Sequence, residues 1–150
     1  NTEEEAKNVV KAGKFPPIGA RGMFPGRQSY GVKNYYTKAN DETFLTVLIE
    51  DIVAIENLAS ILSVKHIDVF CVAPGDLAAS MGHIGSMDHP TVKQKIDDAL
   101  LQIIQAGRIA GTLATEDNIE HYHDLGVRFF LTPIQSWIAD GIARITSKIQ

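Results

Sequence analysis

Four short apolar runs punctuate the chain, at residues 44–49, 67–73, 109–113 and 127–131. Each is continuous rather than alternating and rich in β-branched or aromatic side chains, the pattern of strands covered on both faces. Around them the spacing turns helical. Residues 1–12 predict an opening helix, capped by Asn1 or Thr2, with Glu3, Glu4 and Glu5 at its positive end and Ala6, Val9 and Val10 as its apolar stripe. Gly13 stops it. Ile52, Ile55, Leu58, Ala59 and Leu62 share one helical face. Val92, Ile96, Ala99, Leu100, Ile103 and Ile104 share another, opened by Asp88-His89-Pro90 and closed by Gly107. Residues 118–125 predict a third helix ended by Gly126, and residues 136–149 a fourth with Trp137, Ile138, Ile142 and Ile145 on one side. Between the opening helix and the first strand, two prolines and two glycines in residues 14–22 make a shaped loop. Residues 23–31 read as irregular, and a short helix is expected over 32–38, before Asn40-Asp41 breaks it.

Strands alternating with helices mean an α/β fold with parallel strands joined by right-handed crossovers. Two closures satisfy that rule, an open doubly wound sheet or a (β/α)8 barrel of roughly 250 residues. The pattern alone leans towards the open sheet, although no Gly-rich dinucleotide fingerprint follows the first strand, where Glu50-Asp51-Ile52 stands instead. The start at Asn1, inside a helix, is read as a piece of a longer chain.

Composition narrows the classes. Fourteen Lys plus Arg against eighteen Asp plus Glu give a net charge of −4, which argues against a nucleic-acid partner. No apolar run approaches the length of a membrane span, and no secretory signal opens the chain, so a cytoplasmic protein is expected. The single cysteine, Cys71, leaves neither an internal disulfide nor a Cys-rich zinc site.

In either closure, chemistry gathers at the carboxyl ends of the strands. The first strand ends at Glu50 and the second runs into Ala73-Pro74-Gly75-Asp76-Leu77. Neighbouring parallel strands lie about 4.8 Å apart, so Glu50 and Asp76 can converge on one hard cation such as Mg²⁺ or Mn²⁺. On spacing alone a plainer reading stands ahead of this one: Glu50 as a helix N-terminal acid and Asp76 as a cap.

The segments Phe15-Pro16-Pro17-Ile18-Gly19-Ala20-Arg21-Gly22, Ile49-Glu50-Asp51-Ile52-Val53-Ala54-Ile55-Glu56-Asn57-Leu58, Ile67-Asp68-Val69, Ala73-Pro74-Gly75-Asp76-Leu77-Ala78-Ala79-Ser80-Met81-Gly82 and His89-Pro90 together resemble the HpcH/HpaI family of metal-dependent pyruvate aldolases. The resemblance covers essentially the whole chain, in order and in register. It implies a TIM-type barrel of which this chain supplies strands five to eight, with the N-terminal half missing. It also implies Glu50 and Asp76 as ligands of Mg²⁺ or Mn²⁺, with Co²⁺ a further candidate, and Gly75 and Asp76 as backbone donors to the substrate carboxylate. Arg21 matches the family's arginine before strand five, as a substrate contact or as a brace of its own loop. Leu48 departs from the pattern: typical members carry a glutamine there that helps hold the keto acid, so substrate choice is altered or the reaction itself differs. The family's ketone-polarising arginine and its histidine base come from strands upstream of Asn1. The implied chemistry is aldol cleavage or formation of 4-hydroxy-2-oxo acids through a metal-held pyruvate enolate. Pyruvate or another 2-oxo acid and an aldehyde would be the substrates, and a homo-oligomer the assembly. Alternatives are a related enolate-forming lyase and a catalytically incomplete fragment or binding protein.

A Schiff-base route would need a lysine at a strand end, and none of the nine lysines closes one of the four strands. His121 and His123, two apart on a helix, face different directions and read as a solvated surface. Asp88 and His89 read as caps, His83 as a candidate for the border of the substrate mouth, Cys71 as inert core, and Asp68 as lying at the wrong strand end for catalysis. Tyr35-Tyr36 and Trp137 read as packing or subunit contacts, and Pro133 as a turn former.

Overall fold

The computed structural model describes residues 1–149. Helix α1 (Glu3–Gly13) opens on a capping box, the Thr2 hydroxyl accepting from Glu5 N and the Glu5 carboxylate accepting from Thr2 N at 2.9 Å. A long loop with one 3₁₀ turn (Arg27–Ser29) leads to α2 (Tyr35–Glu42). Then follow β1 (Thr46–Ile49), α3 (Ile52–Glu56), α4 (Leu58–Leu62), β2 (Val69–Val72), α5 (Pro74–Ser80), α6 (Pro90–Gln105), β3 (Ile109–Leu113), α7 (Ile119–Leu125), β4 (Phe129–Leu131) and α8 (Ile134–Thr146).

The four strands form one parallel sheet in the order β1-β2-β3-β4. Strand order that never reverses has no switch point, so successive right-handed crossovers return on the same side. That is the arrangement of a barrel wall rather than of a doubly wound sheet, and the lean towards the open sheet is corrected by it. Val47 and Ile49, Phe70 and Val72, and Ala110 turn towards the helices, where they join Leu58, Leu77, Val92, Ile96, Leu100 and Ile103 in the main core. Thr112, wholly buried among them, donates its hydroxyl to the Val72 carbonyl at 3.0 Å. The other sheet face carries Leu48, Ile109 and Leu131, each more than two-fifths exposed.

Several boundaries differ from the sequence expectation. The helix expected over 32–38 is displaced to Tyr35–Glu42 and runs through Asn40-Asp41. Asn40 does not compete with its own backbone because its amide is spent elsewhere: it accepts from Phe15 N at 2.7 Å and donates to Phe15 O at 2.9 Å. The helical face drawn through Ala59 is broken at Asn57, and the short pair α3 and α4 buries Ala54, Leu58, Ile61 and Leu62 while Ala59 is exposed. Strands β1 and β2 begin two residues later than their apolar runs, since Asp68 N and Val69 N both donate to Leu45 O and the Asp68 carboxylate accepts from Leu45 N at 2.7 Å. Helix α8 starts at Ile134, directly behind Pro133, whose missing N–H costs nothing at a cap.

Candidate active site

The register of β1 on β2 pairs Ile49 with Val72, and Ala73 N donates to Ile49 O at 3.1 Å. Glu50 and the turn Ala73-Pro74-Gly75-Asp76 therefore leave the sheet side by side at its carboxyl end. Proline at the first position and Asp76 in the first turn suit the start of α5. The first backbone bond of that helix is Leu77 N to Ala73 O, so the N–H groups of Gly75 and Asp76 precede the helical ladder and have no carbonyl within it. A Cβ added to Gly75 would meet nothing nearer than Met87 Sδ at 3.7 Å; its bareness is not a packing requirement and leaves that backbone open to close approach.

Glu50 is half-buried and Asp76 exposed. Neither carboxylate is engaged in an ion pair or side-chain hydrogen bond with another described residue. Among the described residues no three His, Cys, Asp or Glu side chains cluster as a metal cage. A divalent cation held here would have two carboxylate ligands and take its remaining positions from water and substrate, which suits Mg²⁺ or Mn²⁺. The donor set fits such an ion: hard oxygens only, with Cys71 shut in the sheet. The Cys71 thiol is pushed up to about 11, first by burial and then by the negative charge of Glu50.

Leu48 precedes Glu50 by two on β1 and so shares its face; it is 51% exposed. Arg21 is not brought to this end of the sheet within the chain. Its guanidinium lies 4.9 Å from the Phe15 ring centroid, and Phe15 is tied to Asn40 of α2, at the end where the strands begin. The geometry there is that of a loop brace. The buried lysine is also at that end: Lys14 donates to the carbonyls of Asn40, at 2.6 Å, and of Thr43, far from any place where a Schiff base could serve the carboxylate pair.

The remaining candidates are structural in what they touch. His89 caps α6 and stacks on His83, ring centroids 3.9 Å apart, while Asp88 pairs with Lys93 at 3.1 Å. Tyr35 and Tyr36 pack edge-on against Phe15. His121 contacts Asp97 on the neighbouring helix, both carboxylate oxygens at 3.1 Å, and not His123. Trp137 is 52% exposed on α8. Sequence reasoning missed the cavity that Asp97, His121 and Tyr122 line with Asp117. Its residues come from three helices, a strand and the loops between them, and no spacing signal links them.

Comparison with known proteins bears on the family and the fold. The sequence profile of the family described as HpcH/HpaI aldolase/citrate lyase matches residues 1–131. A hydroxypyruvate/pyruvate aldolase of Deinococcus radiodurans is 37% identical over 149 residues, covering 96% of this chain and 54% of that protein. A 2-keto-3-deoxy-L-rhamnonate aldolase of Klebsiella pneumoniae is 41% identical over 120 residues, 77% of this chain and 45% of that one. The chain thus spans about half the length of the curated relatives it matches. The crystal structure of a family protein from Burkholderia cenocepacia superposes with a TM-score of 0.89 at 26% identity, covering 99% of this chain and 61% of the other. The barrel-type strand order agrees with these likenesses, and the chain belongs to the HpcH/HpaI aldolase/citrate lyase family.

Proposed function

We propose that the protein containing this chain is a divalent-metal-dependent carbon–carbon lyase that makes or cleaves 4-hydroxy-2-oxo acids, with pyruvate or a related 2-oxo acid and an aldehyde as substrates. The observation that carries this reading is the parallel register, which sends Glu50 and the Gly75-Asp76 turn out of adjacent strands as neighbours with both carboxylates uncommitted. A bound cation would supply Lewis-acid polarisation of the keto acid. Glu50 and Asp76 would hold it, and the preference of hard ions for oxygen favours Mg²⁺ or Mn²⁺, with Co²⁺ as a substitute. The N–H groups of Gly75 and Asp76 would orient the substrate carboxylate. Leu48 would present an apolar wall to the keto acid and offer it no hydrogen bond. The proton-transferring and ketone-polarising groups would come from the rest of the barrel. The names of the aldolase relatives support the reaction class.

The exposed stripe of α8 supports assembly into a homo-oligomer of complete barrels. A second reading, a related enolate-forming lyase with a different substrate, is favoured by Leu48.

The test uses the full-length protein. After chelation, pyruvate methyl protons should cease exchanging with solvent, and Mg²⁺, Mn²⁺ or Co²⁺ should restore exchange. Glu50→Gln and Asp76→Asn should each abolish exchange together with metal binding. Exchange that persists in chelated protein would overturn the metal reading. Metal binding without exchange would instead mark a catalytically silent member.

A further inference from the structure

Between α6 and α7, beneath the carboxyl ends of β2 and β3, lies a cavity of about 590 Å³, within the size range of small-molecule sites. It lies under the two central strands of the sheet and so away from both open edges. Pro74, Met87, Ile96 and Leu113 give it an apolar lining, and Asp88, Lys93, Asp97, Asp117, His121 and Tyr122 are among its polar groups.

The polar groups are unequally satisfied. His121 Nε2 lies 3.1 Å from both oxygens of Asp97, which fixes that carboxylate across the interhelical gap. Asp117 makes no ion pair among the described residues. Tyr122 is 7% exposed with its ring in the main core, so it is the hydroxyl end that meets the cavity, and no described side chain bonds it. Burial raises its pKa, and the charges of Asp97 and then Asp88 raise it further. The hydroxyl therefore keeps its proton and faces a negative field. The cation on the rim, Lys93, is already taken by Asp88.

A phenol oxygen with no protein partner, beside two carboxylates and over an apolar floor, disfavours an anion and welcomes a positive charge. A metal ion is a poor fit, since no three ligating side chains converge. We propose that this cavity binds a small organic cation, a primary ammonium on a short apolar chain, with Asp97 and Asp117 as counter-charges and Tyr122 as hydrogen-bond acceptor. None of these three residues belongs to the Glu50–Asp76 pair, although Pro74 and Met87 carry the cavity wall up to the Gly75-Asp76 turn, and the test therefore includes a strand-end variant.

The probe is 1,4-diaminobutane, titrated calorimetrically into the full-length protein at low salt and neutral pH, with 1,4-butanediol and succinate as controls. The diamine should bind saturably and the controls should not. Asp97→Asn should weaken binding by about tenfold, as loss of one half-buried charge partner does. Asp117→Asn, at an exposed position where folding is not at risk, should act in the same direction. Tyr122→Phe should weaken it several-fold, and Glu50→Gln should leave it unchanged. No saturable diamine binding, succinate binding as tightly, or binding undiminished in Asp117→Asn would overturn the proposal. So would loss of binding in Glu50→Gln, which would move the cation to the strand-end carboxylates.

Discussion

Phe44 and Phe129, at the starts of the first and last strands, stack across the open face of the sheet with ring centroids 5.8 Å apart. Laid flat, three strand spacings would separate them by about 14 Å; their contact fits a sheet that curls towards this face. Gly111 on β3 makes the room. A Cβ there would come within 2.9 Å of Phe129 Cδ1 and of Val69 Cγ1. Gly111→Ala should therefore destabilise the full-length protein by about 1–3 kcal/mol, the range of overpacking. Denaturant unfolding measures the loss, and Phe129→Leu in the same background should recover part of it.

Leu48 shares its face with Glu50 and lies opposite Cys71 across the β1–β2 ladder. Leu48→Gln would return a donor to the place where the family's typical members hold the keto acid. If the usual pose is used, the Michaelis constant for pyruvate should fall by about tenfold, the worth of one hydrogen bond to a charged group, with metal affinity unchanged. An unaltered constant would favour the related lyase with a different substrate.

Cys71 gives a pH signature. Its folded pKa, about 11, stands above its ordinary value of 9.0. Below pH 9.0 the thiol is protonated in both states and the shift costs nothing. As pH rises past 9.0 only the unfolded chain loses the proton, so stability should fall progressively until about pH 11. Cys71→Ala should flatten that decline relative to the wild-type protein in equilibrium unfolding. Native protein should also resist iodoacetamide at pH 8 and react once unfolded.

Helix α8 buries none of its side chains; Ile134, Trp137, Ile138, Ile142 and Ile145 are each more than half exposed. Such a stripe is the surface that the proposed homo-oligomer would bury. Ile138→Glu with Ile142→Glu should shift the full-length protein to smaller species in sedimentation velocity while leaving its circular dichroism intact. The isolated 150-residue segment should not sediment as a compact monomer, since β1 and β4 would both present bare edges.

Much of this was legible in the residues. The strands declared themselves because a wall covered on both sides must be apolar throughout, and helix α6 because His89-Pro90 and Gly107 mark its ends. Glu50 and Asp76 became candidates through the family resemblance of their flanking motifs, since spacing alone favours plain capping roles. What escaped depends on partners far along the chain. Asn40 carries its helix past the expected stop only because Phe15, twenty-five positions earlier, engages its amide. Arg21 could be aligned with a family position, but its placement over Phe15 follows from how the loop folds back on α2. The break at Asn57 and the meeting of Asp97 with His121 likewise answer to packing between elements, which periodicity within one element does not encode.

The bond from Leu45 N to the Asp68 carboxylate fastens two neighbouring strands at their feet, and whatever is fixed at the foot sets the height of the tip. Were β1 to slide by a single residue, the pleat would turn Glu50 inwards among the oily helix layer and offer solvent Ile49 instead. An acid at the far, inert end of the wall thus acts as the gauge block for the business end. Damage at Asp68 should accordingly surface first as a displaced Glu50 beside Asp76 rather than as outright collapse.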